Sequence, residues 1–82
     1  MTNKEKYDKS FTDSMSIDAS RLNGEFAYSK APEWDSIAHM ALVAALEDAF
    51  GISLDTDDIV DFSSYHKGVE ILKKYKVEIV LG

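Results

Sequence analysis

The chain has 82 residues, 45% of them apolar, and carries 15 acidic against 9 basic side chains, for a formal net charge of -6. This size predicts one small folded domain over residues 1–82, with little room for a deep enclosed active site, which disfavours an enzyme. The charge disfavours nucleic acid and anionic lipid as partners, and the absence of cysteine excludes disulfides, thiolate metal sites and a thiol nucleophile.

The first predicted helix spans about residues 3–16. Thr2 and Glu5 have the spacing of a capping box, and Tyr7, Phe11 and Met15 recur every four residues, which predicts one buried aromatic face. Over residues 17–34 the periodicity is lost among Ser, Asn, Gly and Pro, so a long loop is expected. Three of its residues are candidates to pin it to the core: Leu22, Phe26 and Tyr28.

The second predicted helix, residues 36–50, has clear signals at both ends. Asp35 is a favourable N-cap, and Gly51 is suited to the left-handed residue that ends a helix. Ile52 is expected to fold back onto Leu46, as in a Schellman ending. The apolar positions of this helix are Ile37, Met40, Leu42, Val43, Leu46 and Phe50.

The third predicted helix is short, residues 56–62. Asp55 is expected to be its N-cap, the acidic residues of its first turn suit the positive end of the helix dipole, and Leu54 is expected to pack on Ile59.

The fourth predicted helix spans about residues 65–76 behind Ser64, with Val69, Leu72 and Tyr75 facing inward. Gly68 lies inside it, where glycine costs about 1 kcal/mol relative to alanine. Residues 77–82 form an apolar tail with no assigned role. The predicted fold is therefore an all-α, four-helix bundle of three longer helices and one short helix.

The acidic residues are concentrated in the middle of the chain. Residues 31–66 contain eight Asp or Glu and no Lys or Arg. Such a block is either a solvated face or a docking surface for basic proteins, and the second interpretation is favoured because the block coincides with the motif described below. The first residues lack the apolar run of a signal peptide, and no stretch reaches the roughly 18–20 apolar residues of a membrane span. We therefore expect a cytoplasmic monomer that does not enter the membrane.

Two patterns of catalytic or metal-binding residues are rejected. A calcium loop beginning at Asp55 would require Gly where Val60 stands and Glu where His66 stands, which leaves only weak divalent binding as charge relief. Asp35, Ser36 and His39 are the residue types of a hydrolase triad, but Asp35 is expected to cap the helix and no Gly-rich turn offers an oxyanion hole. His39 is expected at the surface or facing a partner, and no catalytic or metal-binding residue is predicted.

Trp34-Asp35-Ser36-Ile37 begins the second helix, Phe50-Gly51-Ile52 ends it, and an acidic short helix follows. From about residue 32 to residue 72 this arrangement resembles the acyl carrier protein family. The family pattern at the helix start is Asp-Ser-Leu, and here Ile37 takes the third position. The resemblance implies a free-standing carrier with a 4′-phosphopantetheine arm on Ser36, next to Asp35 and Ile37. Ile37 itself is either a core residue or an apolar contact for partners.

The resemblance also implies partners. A phosphopantetheinyl transferase, with its own magnesium and general base, would transfer the arm from coenzyme A and so supply the thiol that this chain lacks. Other partners would be acyl-activating, acyl-transferring or condensing enzymes with basic docking patches. The docking candidates are Glu47, Asp48, Asp57, Asp58 and Asp61. An acyl pocket would be lined by Met40, Val43, Leu46, Phe50, Ile59, Phe62 and Leu72, unless these residues are simply the packed core, which is favoured.

Several alternatives stay open. Residues 38–41 are neutral, whereas carriers of primary fatty-acid synthesis usually have acidic residues there, so polyketide and other specialised pathways are also candidates. An aminoacyl or peptidyl carrier is one alternative. In another, Ser36 is merely a favourable helix-start residue, and the chain is an unmodified acidic helical interaction module.

Overall fold

The computed structural model describes residues 2–23 and 25–80. Within these ranges the chain forms four α-helices and no strand, so the predicted all-α bundle is confirmed. The helices are α1 (Asn3–Met15), α2 (Ser36–Phe50), α3 (Thr56–Asp61) and α4 (Tyr65–Lys73), with a 3-10 turn over Ala19–Arg21 in the first loop. None of these helices has the length and apolar character needed to cross a membrane. Two residues of the predicted tail, 81 and 82, lie outside the described ranges.

The first helix begins at its predicted capping box, and the second ends at its predicted glycine. Thr2 Oγ1 accepts from the Glu5 amide at 3.1 Å and Glu5 Oε1 accepts from the Thr2 amide at 3.0 Å, which completes the capping box. Gly51 has a φ of +62° and ends α2, and the Ile52 amide donates to the Glu47 carbonyl at 3.1 Å, as a Schellman ending requires.

The ends of the shorter helices differ from the prediction. Asp55 occupies the N-cap position of α3, but its side chain makes no capping hydrogen bond. The last turn of α4 tightens, because the amides of Lys74, Tyr75 and Lys76 donate to carbonyls three residues back. Lys76 then adopts a left-handed conformation, so α4 ends three residues earlier than predicted.

The core is built around the ring of Phe11, which is fully buried. Five aromatic rings surround it with centroid distances of 5.0 to 6.1 Å: Tyr7, Phe26, Trp34, Phe62 and Tyr65. These rings belong to α1, the long loop, the α3–α4 connection and α4, so Phe11 contacts side chains from most segments of the fold. Tyr7, Phe11 and Met15 are all buried, as the four-residue spacing predicted.

The long loop is fastened to the α3–α4 connection by two backbone hydrogen bonds. The Tyr28 amide donates to the Ser63 carbonyl and the Tyr65 amide donates to the Phe26 carbonyl, both at 2.9 Å. Phe26 is buried as predicted, Leu22 is half-buried, and Tyr28 remains exposed beside α3. This attachment brings the loop to one wall of the site described below.

The Arg21 guanidinium donates two hydrogen bonds to the Glu33 carboxylate, at 2.7 and 3.0 Å, and closes the loop on itself. These bonds lower the pKa of Glu33 from 4.5 to about 2. A carboxylate with a lowered folded pKa stabilises the fold above its unfolded pKa, and that contribution is lost as the pH falls toward the folded value. We therefore expect Glu33→Gln to cause a small decrease in Tm at pH 7 and none below pH 2. Thermal unfolding of the wild type and Glu33→Gln between pH 2 and pH 7 measures the difference in Tm. An equal decrease in Tm at pH 2 and at pH 7 would contradict a stabilising Arg21–Glu33 ion pair.

The apolar tail, which the sequence left without a role, belongs to the core. Val77 and Ile79 are buried, and Asn3 at the start of α1 donates its side-chain amide to the Glu78 carbonyl at 3.1 Å. The tail therefore packs beside the first turn of α1.

Candidate functional site

Ser36 is the first residue of α2, and its side chain is exposed. Trp34, two residues earlier, is 2% exposed and holds the chain in the aromatic core. Asp35 Oδ1 accepts from the Ala38 amide at 2.8 Å, so the predicted N-cap is present. The amides of Ser36 and Ile37 belong to the first helical turn, where no intrahelical acceptor is available and the helix dipole is positive. The Ser36 hydroxyl therefore lies at an electropositive, accessible helix start.

A cleft of about 390 Å³ opens beside Ser36. The start of α2 forms one wall, α3 and the α3–α4 connection form another, and the long loop contributes a third. Its lining residues are Tyr28, Ser36, His39, Met40, Ile59, Val60, Phe62 and Ser63.

Exposed apolar side chains surround the attachment candidate. Met40 is 56% exposed, Val60 is 74% exposed, and Ile37, next to Ser36, is 83% exposed. Of the two interpretations of Ile37, the core one is therefore wrong. In a domain this small, exposed apolar side chains that cluster beside one polar group mark a surface suited to contact with another molecule.

His39 joins α2 to α3 across the inner end of the cleft. Trp34 Nε1 lies 2.9 Å from His39 Nδ1, and His39 Nε2 lies 2.8 Å from the Ile59 carbonyl oxygen. An indole N–H is only a donor, so Nδ1 is the acceptor and the ring proton is on Nε2, which donates to Ile59. The hydrogen bonds thus define one neutral tautomer of His39.

This geometry excludes His39 as the general base of a catalytic triad with Asp35 and Ser36. Both ring nitrogens of His39 are engaged with Trp34 and Ile59, and the Asp35 carboxylate accepts from the helix. A hydrolytic triad requires a base with a free nitrogen directed at the serine hydroxyl, and His39 has none.

The docking candidates divide into exposed and internally bonded carboxylates. Asp48, Asp57 and Asp61 are exposed. Glu47 is half-buried, and its carboxylate accepts from the Leu54 amide at 2.8 Å, which stabilises the α2–α3 connection. Asp58 is 3% exposed, so its assignment to a docking surface was wrong.

Asp58 instead anchors α3 to the end of α4. Its carboxylate accepts from Lys74 Nζ and from the Tyr75 hydroxyl, and these two hydrogen bonds lower the pKa of Asp58. The same Tyr75 hydroxyl accepts from the Asp55 amide at 3.0 Å, at the start of α3. These contacts account for the burial of a carboxylate that the sequence placed in an acidic cluster.

The seven acyl-pocket candidates do not line one space. Met40, Ile59 and Phe62 contribute to the cleft. The other four belong to the interior or its edge, with Leu46 and Leu72 fully buried, Val43 buried and Phe50 half-buried. For these four the packed-core interpretation fits better.

Four cleft residues were not assigned to the site from the sequence: Tyr28, His39, Val60 and Ser63. His39 was expected at the surface or facing a partner. A signal for its position was available, because a buried Trp requires an acceptor for its N–H and His39 lies only five residues after Trp34. Tyr28 and Val60 join the site through the attachment of the loop and the position of α3, for which the sequence offers no local signal.

Comparison of the chain with family models, with curated proteins and with solved structures found no match. Among the described residues, no three His, Asp or Glu side chains come together in a way that could hold a metal ion.

Proposed function

We propose that the protein is a free-standing acyl carrier whose Ser36 bears a 4′-phosphopantetheine arm. It would deliver acyl thioesters to enzymes of fatty-acid, polyketide or other specialised acyl biosynthesis in the cytoplasm. The observation that carries the proposal is the Ser36 hydroxyl, exposed on the first turn of α2 between a buried Trp34 and an open cleft.

The residues around Ser36 suit the arm. The hydroxyl is accessible for transfer from coenzyme A, and the resulting phosphodiester anion would lie near the free amides of the first turn. An anion at this position is stabilised by about 0.3–1 kcal/mol. When bound, the arm supplies the thiol that this cysteine-free chain lacks.

The surface beside Ser36 supports transient docking. Ile37, Met40 and Val60 provide an exposed apolar contact, and α3 carries exposed Asp57 and Asp61 next to Val60. Exposed ion pairs each contribute little and are screened by salt. Binding to basic partner enzymes would therefore be weak and salt-sensitive, as a carrier that visits several enzymes requires.

The test is modification by a broad-specificity phosphopantetheinyl transferase with coenzyme A and magnesium, followed by intact-mass measurement. We expect the wild-type chain to gain one phosphopantetheinyl group and Ser36→Ala to gain none. Ser63→Ala is the matched control, because Ser63 is another exposed serine of the same cleft. If the wild-type mass does not change while a control carrier is modified, the proposal is wrong.

Two substitutions of Asp35 separate its roles. Loss of the cap in Asp35→Ala is expected to lower the free energy of unfolding by about 1 kcal/mol. Asp35→Asn retains the cap but removes the charge, so stability should stay close to wild type while the initial rate of modification decreases, because the carboxylate no longer pairs with a basic residue of the transferase. Urea unfolding and the modification rate measure the two effects. Modification of Asp35→Asn at the wild-type rate would leave Asp35 with the capping role alone.

A further inference from the structure

We propose that the cleft beside Ser36 shelters the chain of the acyl group itself, and that it selects uncharged chains of short to medium length over aminoacyl groups. The inference rests on the proposed attachment at Ser36 and deepens it by naming the class of cargo. Ser36 lines the cleft, so a group tethered to it stays close to the cleft walls. A flexible tether gives such a group an effective concentration in the millimolar range, at which weak apolar contacts are sufficient.

The walls of the cleft offer apolar surface that is in contact with water. Met40 belongs to α2 and Val60 to α3, and both side chains are exposed. Ile59, which also lines the cleft, is half-buried. An alkyl chain lying against these side chains would cover part of this surface, and the stabilisation grows with the apolar area removed from water. The cleft therefore suits an apolar chain.

The polar groups of the cleft carry no charge. They are the hydroxyls of Tyr28, Ser36 and Ser63, together with His39, whose hydrogen bonds define a neutral tautomer. None of the described residues that line the cleft is Asp, Glu, Lys or Arg. An ammonium group taken out of water without a carboxylate partner loses much of its hydration free energy. An aminoacyl group would therefore stay in the solvent, whereas an uncharged acyl chain would lie in the cleft.

The size of the cleft limits the length of the chain. At the inner end the His39 ring lies 2.9 Å from Trp34 Nε1 and 2.8 Å from the Ile59 carbonyl oxygen, and the neighbouring Phe62 ring is 1% exposed. Packed rings thus close this end. The space of about 390 Å³ is near the lower limit of small-molecule sites, which occupy about 300–1,000 Å³. A chain longer than the cleft would extend into water and gain no further stabilisation.

The cleft can be tested with groups attached at position 36 without enzymatic modification. The natural chain has no cysteine, so Ser36→Cys provides a single thiol. Methanethiosulfonates attach ethyl, hexyl, decyl or aminohexyl groups to this thiol through a disulfide, with methanesulfinate as the leaving group. The hexyl and aminohexyl groups differ only in a terminal ammonium. The Tm of each protein is measured in roughly 0.3 M salt, which screens the attraction between the ammonium and the acidic chain.

We expect the Tm to rise by roughly 3–6 °C from the ethyl to the hexyl protein, because the cleft covers part of each added methylene. From hexyl to decyl the further rise should be less than half as large, because the cleft is full. The aminohexyl protein should unfold within about 1 °C of the ethyl protein. A Tm that does not rise from ethyl to hexyl, that rises as much again from hexyl to decyl, or that rises equally for aminohexyl would overturn the proposal.

Met40→Ser tests whether the chain lies in this cleft, and Ile37→Ser is its matched control. Both are exposed apolar residues of α2 close to Ser36, but only Met40 lines the cleft. In the Ser36→Cys background we expect Met40→Ser to reduce the ethyl-to-hexyl rise in Tm by about half, and Ile37→Ser to leave it unchanged. Because both side chains are exposed, both variants should fold. Equal rises in the two variants would place the chain outside the cleft and reject the proposal.

The thiol series needs no transferase, so the cargo assignment and the carrier function can fail separately. If the wild-type chain gains phosphopantetheine but the Tm does not depend on the attached group, only the cargo assignment is wrong. If the Tm series is as expected but the wild-type chain gains no phosphopantetheine, the carrier function is wrong and the cleft remains a site for uncharged apolar chains.

Discussion

Replacement of Phe11 by alanine is expected to lower the free energy of unfolding by about 3–5 kcal/mol. The Phe11 side chain is fully buried, and its ring contacts aromatic rings from every part of the fold except α2 and α3. Its removal leaves a cavity that these rings cannot all fill, because they are held by four different segments of backbone.

This loss is large relative to the stability of so small a domain. At about 0.05–0.15 kcal/mol per residue, a chain of this length is stabilised by roughly 4–12 kcal/mol. Urea unfolding followed by far-UV circular dichroism measures the change. Phe50→Ala is the matched control, since Phe50 is only half-buried and should cost clearly less. Equal losses for the two variants would mean that Phe11 is not the centre of the core.

The second large effect is expected from Gly68→Ala, which should lower the free energy of unfolding by about 1–3 kcal/mol. Helix propensity alone predicts the opposite sign, a gain of about 1 kcal/mol. However, a Cβ atom at Gly68 would lie 2.2 Å from both Phe62 Cζ and Tyr7 Oη. Tyr7 cannot retreat freely, because its hydroxyl donates to the Tyr65 carbonyl at 2.6 Å. The glycine is therefore a requirement of close packing.

Gly51 provides the control for this prediction, because it is constrained by its backbone conformation and not by close packing. A Cβ atom there meets nothing within 4 Å, but the residue has a positive φ. Asparagine tolerates the left-handed conformation, so Gly51→Asn should cost little, whereas Gly68→Asn should be at least as damaging as Gly68→Ala. Urea denaturation of the three variants and the wild type tests both statements. A stabilised Gly68→Ala protein would show that Phe62 and Tyr7 can move apart.

The parts of the fold that follow from local signals were predictable from the sequence. Asp35 caps the start of α2 and Gly51 ends it through contacts with residues close in sequence, so both ends of this helix were predicted correctly. The exposed position of Ser36 at that helix start follows from the same signals. The Tyr7–Phe11–Met15 spacing likewise indicates a buried face, because helix periodicity alone determines which side chains point the same way.

The remaining features depend on contacts between distant residues. Asp58 looks like its acidic neighbours in the sequence, and only the approach of Lys74 and Tyr75, sixteen and seventeen residues later, explains its burial. His39 reaches Ile59 across twenty residues. No pattern within one helix reports such pairings, so the inner end of the cleft and the anchor of α3 could not be read from the sequence.

The Trp34 indole has a practical consequence for spectroscopy. It is the only tryptophan of the chain, it is almost completely buried, and its N–H is bonded to the histidine at the inner end of the cleft. Its fluorescence therefore comes from a single position beside Ser36. The wavelength and intensity of that emission will respond to displacement of His39. Any event in the cleft that moves the His39 ring can thus be followed by fluorescence in the natural, unlabelled protein.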